Sequence, residues 1–248
     1  MDVAVNPTRP GHRLYHTLWS AVDWFYPPHC GGCDRLGERW CARCDAAVLP
    51  IAEPACPVCS LPGSRGICPH CRAHRPAFQA LRSWGLYEGP LRTAIHRLKY
   101  HNDIGLSETF SSKLLAVFQK TGWVVDGILP VPLNHQRMRQ RGYNQAALLA
   151  YPLSLACGIH WVPAALQRNR DTASQVGLSV EQRLANVDGA FRADEKLVRE
   201  RTFLLVDDVA TTTSTLQACA AALLDAGAAG VYALTLARAF VLHDPQGI

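Results

Sequence analysis

Past residue 78 the apolar positions come in blocks whose period alternates. Short runs at 82–87, 127–132, 202–207 and 231–236 read as strands, whereas 91–100, 106–120, 144–157 and 214–226 are longer and read as helices. Strand and helix in alternation predict an α/β domain on a mainly parallel sheet, because parallel neighbours need a crossover that is usually a helix. Ligands of such sheets bind at the carboxyl ends of strands, so strand-end residues are the ones to inspect. Nearer the start, Leu14, Leu18, Val22 and Phe25 recur at helical spacing until Pro27 and Pro28 stop the pattern. This short amphipathic helix either packs on the module that follows it or docks to a membrane or partner.

Between these patterns lies a segment organised by cysteine. Cys30 and Cys33, Cys41 and Cys44, Cys56 and Cys59, and Cys68 and Cys71 form four C-x-x-C knuckles. In a reducing compartment such knuckles read as zinc ligands, since each places two thiolates about 2.3 Å from one ion and two knuckles complete a tetrahedron. Two structural zinc sites of four cysteines each account for all eight thiols; a disulfide-rich module would need an oxidising compartment that nothing else signals. Near-equal gaps within the first and last two knuckles favour two successive ribbons, with cross-bracing as the alternative. The remaining Cys157 and Cys219 stand in apolar surroundings and read as core. The chain thus divides into a helical lead-in at 1–28, a double zinc-ribbon module at 29–75 and the α/β domain at 76–248. Chelation is expected to unfold 30–71 and to leave much of the larger domain folded.

Composition narrows the classes. A chain of 248 residues that is 48% hydrophobic and 18% charged is globular. No apolar run approaches the roughly 18–20 residues of a membrane span, and the first residues lack the order of a signal peptide, so a cytoplasmic location is expected. The net charge of +5 comes mostly from arginine, with lysine at 99, 113, 120 and 196 alone. Arginine suits bidentate phosphate recognition, which points to an anionic partner.

The most informative strand end is at 201–216. An apolar strand over 203–206 runs into Asp207 and Asp208, then a hydroxyl-rich turn, then a helix with Leu216, Ala220 and Leu223 on one face. Backbone N–H groups at a helix start favour a phosphate, and strand-end carboxylates accept hydrogen bonds from vicinal sugar hydroxyls. Together they describe a ribose 5-phosphate cradle; the alternative is an N-capped core helix with incidental acids.

The run LLVDDVATTTSTL (204–216) resembles the phosphoribosyl pyrophosphate (PRPP) motif of type I phosphoribosyltransferases. With LPVPL (129–133), RQRGYNQ (139–145), QVGLS (175–179), Arg183, NVDGAF (186–191), HRLKY (96–100) and the zinc module, the chain resembles the ComF family of competence proteins over nearly its whole length. The resemblance implies a type I phosphoribosyltransferase-like, mainly parallel sheet flanked by helices, behind a small zinc-ribbon module. It implies a site for PRPP with Mg²⁺: Asp207 and Asp208 on the ribose hydroxyls, and Ala210, Thr211, Thr212, Thr213, Ser214 and Thr215 around the 5-phosphate. Arg137, Arg139 and Arg141 would supply cations near pyrophosphate, with Arg139 and Arg141 the catalytic candidates. Lys99 is either a further diphosphate ligand or an exposed helix lysine, and Tyr143, Asn144 and Gln145 either fix the loop after Pro132 or cap the next helix. One departure stands out: the phosphate loop usually carries glycine where this chain has Thr213, and a β-branched residue resists the torsions glycine allows.

The family implies a PRPP- and Mg²⁺-binding competence protein acting in DNA uptake and natural transformation, cytoplasmic or at the inner face of the membrane. Single-stranded DNA and other competence proteins are the implied partners. The alternative is an active enzyme that transfers phosphoribosyl from PRPP to an unidentified nitrogen acceptor. A complete glutamine-dependent amidotransferase is not expected, for want of an N-terminal nucleophilic cysteine.

Overall fold

The computed structural model describes residues 10–25, 27–170 and 189–239. The 175–179 motif, Arg183 and positions 186–188 lie outside the described residues. In chain order the helices are α1 (Pro10–Phe25), α2 (Ala42–Ala46), α3 (Pro69–Ala73), α4 (Gly89–Tyr100), α5 (Leu106–Gln119), α6 (His135–Arg141), α7 (Gln145–Cys157), α8 (Glu195–Val198) and α9 (Ser214–Asp225). The strands are β1 (Leu81–Leu86), β2 (Gly127–Pro130), β3 (His160–Trp161), β4 (Leu166–Arg168), β5 (Phe191–Ala193), β6 (Thr202–Ala210) and β7 (Gly230–Arg238). Five of them form a parallel sheet in the order β1-β7-β6-β2-β3, and β4 pairs antiparallel with β5 beside it. The expected mainly parallel sheet flanked by helices is therefore present.

Strand β6 shows why the apolar run at 203–206 is continuous rather than alternating. Phe203 and Leu205 face the core that holds Leu216, Ala220 and Leu223 of α9, whereas Leu204 and Val206 face the core of α4, α5 and α7. A strand covered on both faces needs apolar residues at every position. Cys157 and Cys219 are buried in these two cores, as the sequence suggested.

The zinc module grips the sheet by its edge. Strand β1 is an end strand, and an uncovered edge would leave backbone groups unpaired. Its Leu81 and Leu86 amides donate to the carbonyls of Val58 and Leu49 at 2.7 and 2.8 Å, and Ser60 Oγ donates to Leu81 O at 2.6 Å. The linker passes so close that a Cβ on Gly85 would lie 2.5 Å from Val48 Cγ1 and 3.0 Å from Leu49 O. The ribbons straddle that edge: Cys30, Cys41 and Cys44 belong to the core under α4, α5 and α7, and Cys56, Cys59, Cys68 and Cys71 to the core under α9. The module set apart by composition is thus continuous with both cores.

Helix α1 departs from the simple amphipathic expectation. Tyr15 meets Tyr151 of α7 edge-on at 6.1 Å, and the Arg39 guanidinium lies 4.7 Å from the centre of the Trp19 ring. The helix therefore touches both α7 and the first ribbon, but Leu14 and Leu18 are 63% and 59% exposed, so that part of the predicted stripe is not its buried face. The side chains of Val22 and Phe25 lie outside the described residues. No helix among the described residues is long and apolar enough to cross a membrane.

Candidate functional site

The eight knuckle thiols gather as Cys30, Cys33, Cys41 and Cys44, and as Cys56, Cys59, Cys68 and Cys71, with the Sγ atoms of each group within 4.8 Å of one another. This is the successive-ribbon arrangement. Sulfur separations include 3.6 Å (Cys30 to Cys41), 3.7 Å (Cys33 to Cys41) and 3.7 Å (Cys59 to Cys68). A tetrahedron with zinc–sulfur bonds of about 2.3 Å has edges of about 3.8 Å, so the donor set fits structural zinc. The ribbons repeat each other. Asp34 N donates to Cys30 O as Ser60 N donates to Cys56 O, Cys41 N and Cys68 N donate to the sulfurs of Cys30 and Cys56, and Asp34 and Ser60 share a left-handed φ. Burial pushes the first thiol of each ribbon up, but surrounding amides outweigh it and bring Cys30 to about 6 and Cys56 to about 7. In the first ribbon, a Cβ on Gly32 would lie 2.8 Å from both Cys44 Sγ and Pro90 Cβ, which accounts for the small residue inside that knuckle.

The second centre lies where β6 ends. A cavity of about 380 Å³ is lined by Asp207 and Asp208, by Thr211 and Thr215, by Lys99 and Tyr100 of α4, by 131–134 after β2, by Gln136, Arg137, Gln140 and Arg141 of α6, by Gln145 and by Arg168 of β4. Residues 211–216, with Asp207, Val209 and Ala210, enclose an adjoining space of about 30 Å³. Most of the predicted PRPP set is thus brought to one place. Arg139 is exposed on α6 and is not among the lining residues, unlike Arg137 and Arg141.

The acids are electrostatically unequal. Asp208 is 3% exposed, its Oδ1 accepts from Val209 N at 2.9 Å, and the Lys99 ammonium stands 2.5 Å from its Oδ2. Oδ2 has this counter-charge without a well-directed hydrogen bond among the described residues. Burial alone would raise Asp208, but Lys99 overrides it and holds the carboxyl below its usual range. Burial likewise works against the Lys99 ammonium, and the charge of Asp208 reverses the effect and raises it. Asp207 has no such partner as close: burial first, then the charge of Asp208, pushes it well above the carboxylate range. Lys99, its side chain 19% exposed, is therefore the ion-pair partner of the buried Asp208 rather than an exposed helix lysine. Its helix is held to the first ribbon by Arg97, which pairs with Asp34 at 2.5 Å and Asp103 at 3.1 Å.

Asn144 performs both roles left open for its segment. Its Oδ1 accepts from Ala146 N at 3.0 Å, capping α7, while its Nδ2 donates to Val131 O at 3.0 Å and ties the loop after β2. Tyr143 Oη donates to Leu98 O at 2.5 Å, fixing the same junction against α4.

Thr213 takes the conformation that its type resists, with φ 64° and ψ 2°, and is 7% exposed. A β-branched residue in the left-handed region costs about 1–2 kcal/mol. Thr213→Gly is expected to raise stability by about 1 kcal/mol, the relieved strain exceeding the added freedom of the unfolded chain. A shift of the denaturation midpoint at constant slope would show it, and a lowered midpoint would mean the threonine's packing outweighs its torsion.

Arg238 escaped the sequence reading. It is 6% exposed at the end of β7, donates from Nε to Cys59 O at 3.0 Å, and donates from one terminal nitrogen to Ala210 O at 2.9 Å, Ala239 O at 3.0 Å and Thr211 O. An arginine closing an apolar strand is the only local signal. Arg168 and Gln145, which also line the cavity, were missed as contributors to it for the same want of a local pattern.

Residues 21–73 match the double zinc ribbon domain family. Over 205 residues the chain is 36% identical to the DNA utilization protein YhgH of Escherichia coli K12, covering 80% of this chain and 89% of that protein. It is 32% identical to competence protein F of Haemophilus influenzae, covering 85% and 90% respectively. Among solved structures, adenine phosphoribosyltransferase from Thermoanaerobacter pseudethanolicus aligns over 56% of this chain and 86% of its own, at 14% identity and a TM-score of 0.37.

Proposed function

Since the chain belongs to the ComF family of competence proteins, we propose that it acts in DNA uptake on the cytoplasmic side and does so as a binder of PRPP with Mg²⁺. One observation carries the ligand: two carboxylates at a strand end and a hydroxyl-rich helix start share one cavity with Lys99, Arg137 and Arg141. Each part matches a part of the ligand. The 211–215 loop suits the 5-phosphate, the carboxylates suit the ribose hydroxyls, and the arginines of α6 suit the diphosphate. Mg²⁺ prefers carboxylate and water oxygens and would offset diphosphate charge, so Asp207 and Asp208 are its natural neighbours through water. Donors from the ribose hydroxyls would stabilise ionised Asp207, which burial disfavours in the free protein.

Calorimetric titration with PRPP and Mg²⁺ tests this reading. The wild type is expected to bind, and Asp207→Asn to lose about 1–3 kcal/mol of affinity through a lost charge-assisted hydrogen bond. The same substitution should leave the free protein at least as stable, because it removes a half-buried carboxyl that resists ionisation. Its folded value is raised, so the stability it contributes is complete below the unfolded value and lost as pH climbs towards the folded one. The variant should lack that decline. Binding unchanged in Asp207→Asn would remove the acid from the site, and no binding in the wild type would leave single-stranded DNA as the anion to titrate next. Phosphoribosyl transfer itself would be read separately, as pyrophosphate release on adding a nitrogen acceptor.

A further inference from the structure

We propose that Arg238 is a positioning residue that couples the second zinc ribbon to the phosphate loop, so that ligand bound at 211–215 tightens the ribbon and a loosened ribbon weakens the loop. The inference rests on reading 211–215 as the phosphate loop.

The geometry is a single side chain bonded to both partners. One nitrogen of the Arg238 guanidinium holds the carbonyl of Cys59, a ligand of the second zinc site, and another holds the carbonyls of Ala210 and Thr211, where β6 turns into the loop. No carboxylate pairs with Arg238 among the described residues, so carbonyls satisfy its buried donors and two anions would offset its charge when bound. One of these is the zinc-tetrathiolate centre, which carries two negative charges when loaded. The other is the phosphate that the loop is read to bind.

Planarity of the peptide explains what the contact does for the loop. In a trans peptide the C=O and the following N–H point in opposite directions. Carbonyls of Ala210 and Thr211 drawn onto Arg238 therefore turn the amides of Thr211 and Thr212 to the opposite side. Consecutive amides held outward make an anion-binding concavity; Arg238 shares the Ala210 carbonyl with Ala239 N, which donates to it at 2.8 Å, whereas Thr211 O is held by Arg238. Lysine could keep the charge, but its ammonium is a point donor that cannot reproduce the fork reaching both Cys59 and the loop. Coupling of this kind is reciprocal: a ligand that orders the loop must stabilise the ribbon by the same free energy.

Hydrogen exchange on the zinc-loaded full chain, read at 56–61, at 211–216 and at 30–36 as control, separates the alternatives. In the wild type, PRPP with Mg²⁺ is expected to slow exchange at 211–216 and, by about tenfold, at 56–61, leaving 30–36 unchanged. In Arg238→Lys the ligand should still protect the loop but no longer the ribbon, an outcome that mere destabilisation would not produce. Without ligand, Arg238→Lys should speed exchange at both 56–61 and 211–216 and speed zinc transfer from the second ribbon to a zinc-selective chelator. If only one of the two segments loosens, or if the ribbon is still protected by ligand in the variant, the coupling is overturned. If PRPP protects nothing in the wild type, the ligand assignment fails; the link between ribbon and loop then stands only if Arg238→Lys loosens 56–61 and 211–216 together and speeds zinc transfer from the second ribbon while 30–36 and the first ribbon are unchanged.

Discussion

Chelation of both zinc ions is expected to abolish the cooperative thermal transition of the whole chain, rather than to unfold 30–71 alone as the composition suggests, with amide protection lost on both faces of the sheet. The reason is where the thiols lie. Cys30, Cys41 and Cys44 pack in the core beneath α4, α5 and α7, and the thiols of the second ribbon in the core beneath α9, while Leu49 and Val58 pair the edge of β1. A structural zinc site contributes about 10–16 kcal/mol of folding free energy in small metal-dependent domains. The net stability of a whole domain is about 5–15 kcal/mol, so losing two such sites outweighs what hydrophobic burial leaves in reserve. Circular dichroism melts with and without a zinc-selective chelator, paired with hydrogen exchange of β6 and β7, would show it. Native protection of those strands in metal-free protein would mean that the sheet stands alone and the ribbons are appended.

Lys99→Met should be the most damaging substitution at the carboxyl end of β6, costing about 3–5 kcal/mol at neutral pH. Removing one partner of a buried pair leaves the other charge uncompensated, and Asp208 is 3% exposed with its Oδ2 relying on that ammonium. The sign of the pH dependence follows from the shifts. Asp208 is held below its unfolded value, so its contribution is present above that value and is lost as pH falls through the folded one; Lys99 is raised, so its contribution persists below its unfolded value and is lost as pH rises through the folded one. In Lys99→Met the penalty should shrink as pH falls, because Asp208 then takes up a proton. The double variant Lys99→Met, Asp208→Asn should recover most of the loss. Equal denaturation midpoints for wild type and Lys99→Met would show that the pair is solvated and contributes little.

Much of the chemistry was legible because it is local. Four knuckles of two thiols each can only gather ligands within short loops, and 202–225 carries strand, acids, hydroxyls and helix in one uninterrupted stretch. Boundaries moved little: β6 runs on through both acids to Ala210, and α9 ends at Asp225. Helix α6 is invisible to the hydrophobic pattern because none of its residues is buried, so it has no apolar periodicity to announce it. Its helical form decides which arginines face the cavity, and Arg137 and Arg141 do while Arg139 does not.

The amino-acid sequence by itself determined the two four-cysteine sets, the α/β alternation, the acid and threonine run at the end of β6, and the awkward residue at 213. These depend on spacing along the chain, which local backbone geometry converts directly into contacts. Only the tertiary structure decided that the ribbons clamp the edge of β1, that Lys99 pairs with Asp208, and that Arg238 joins Cys59 to the turn after β6 across 179 residues. Such contacts carry no periodic signal, because strand order and packing bring together groups that the sequence keeps far apart.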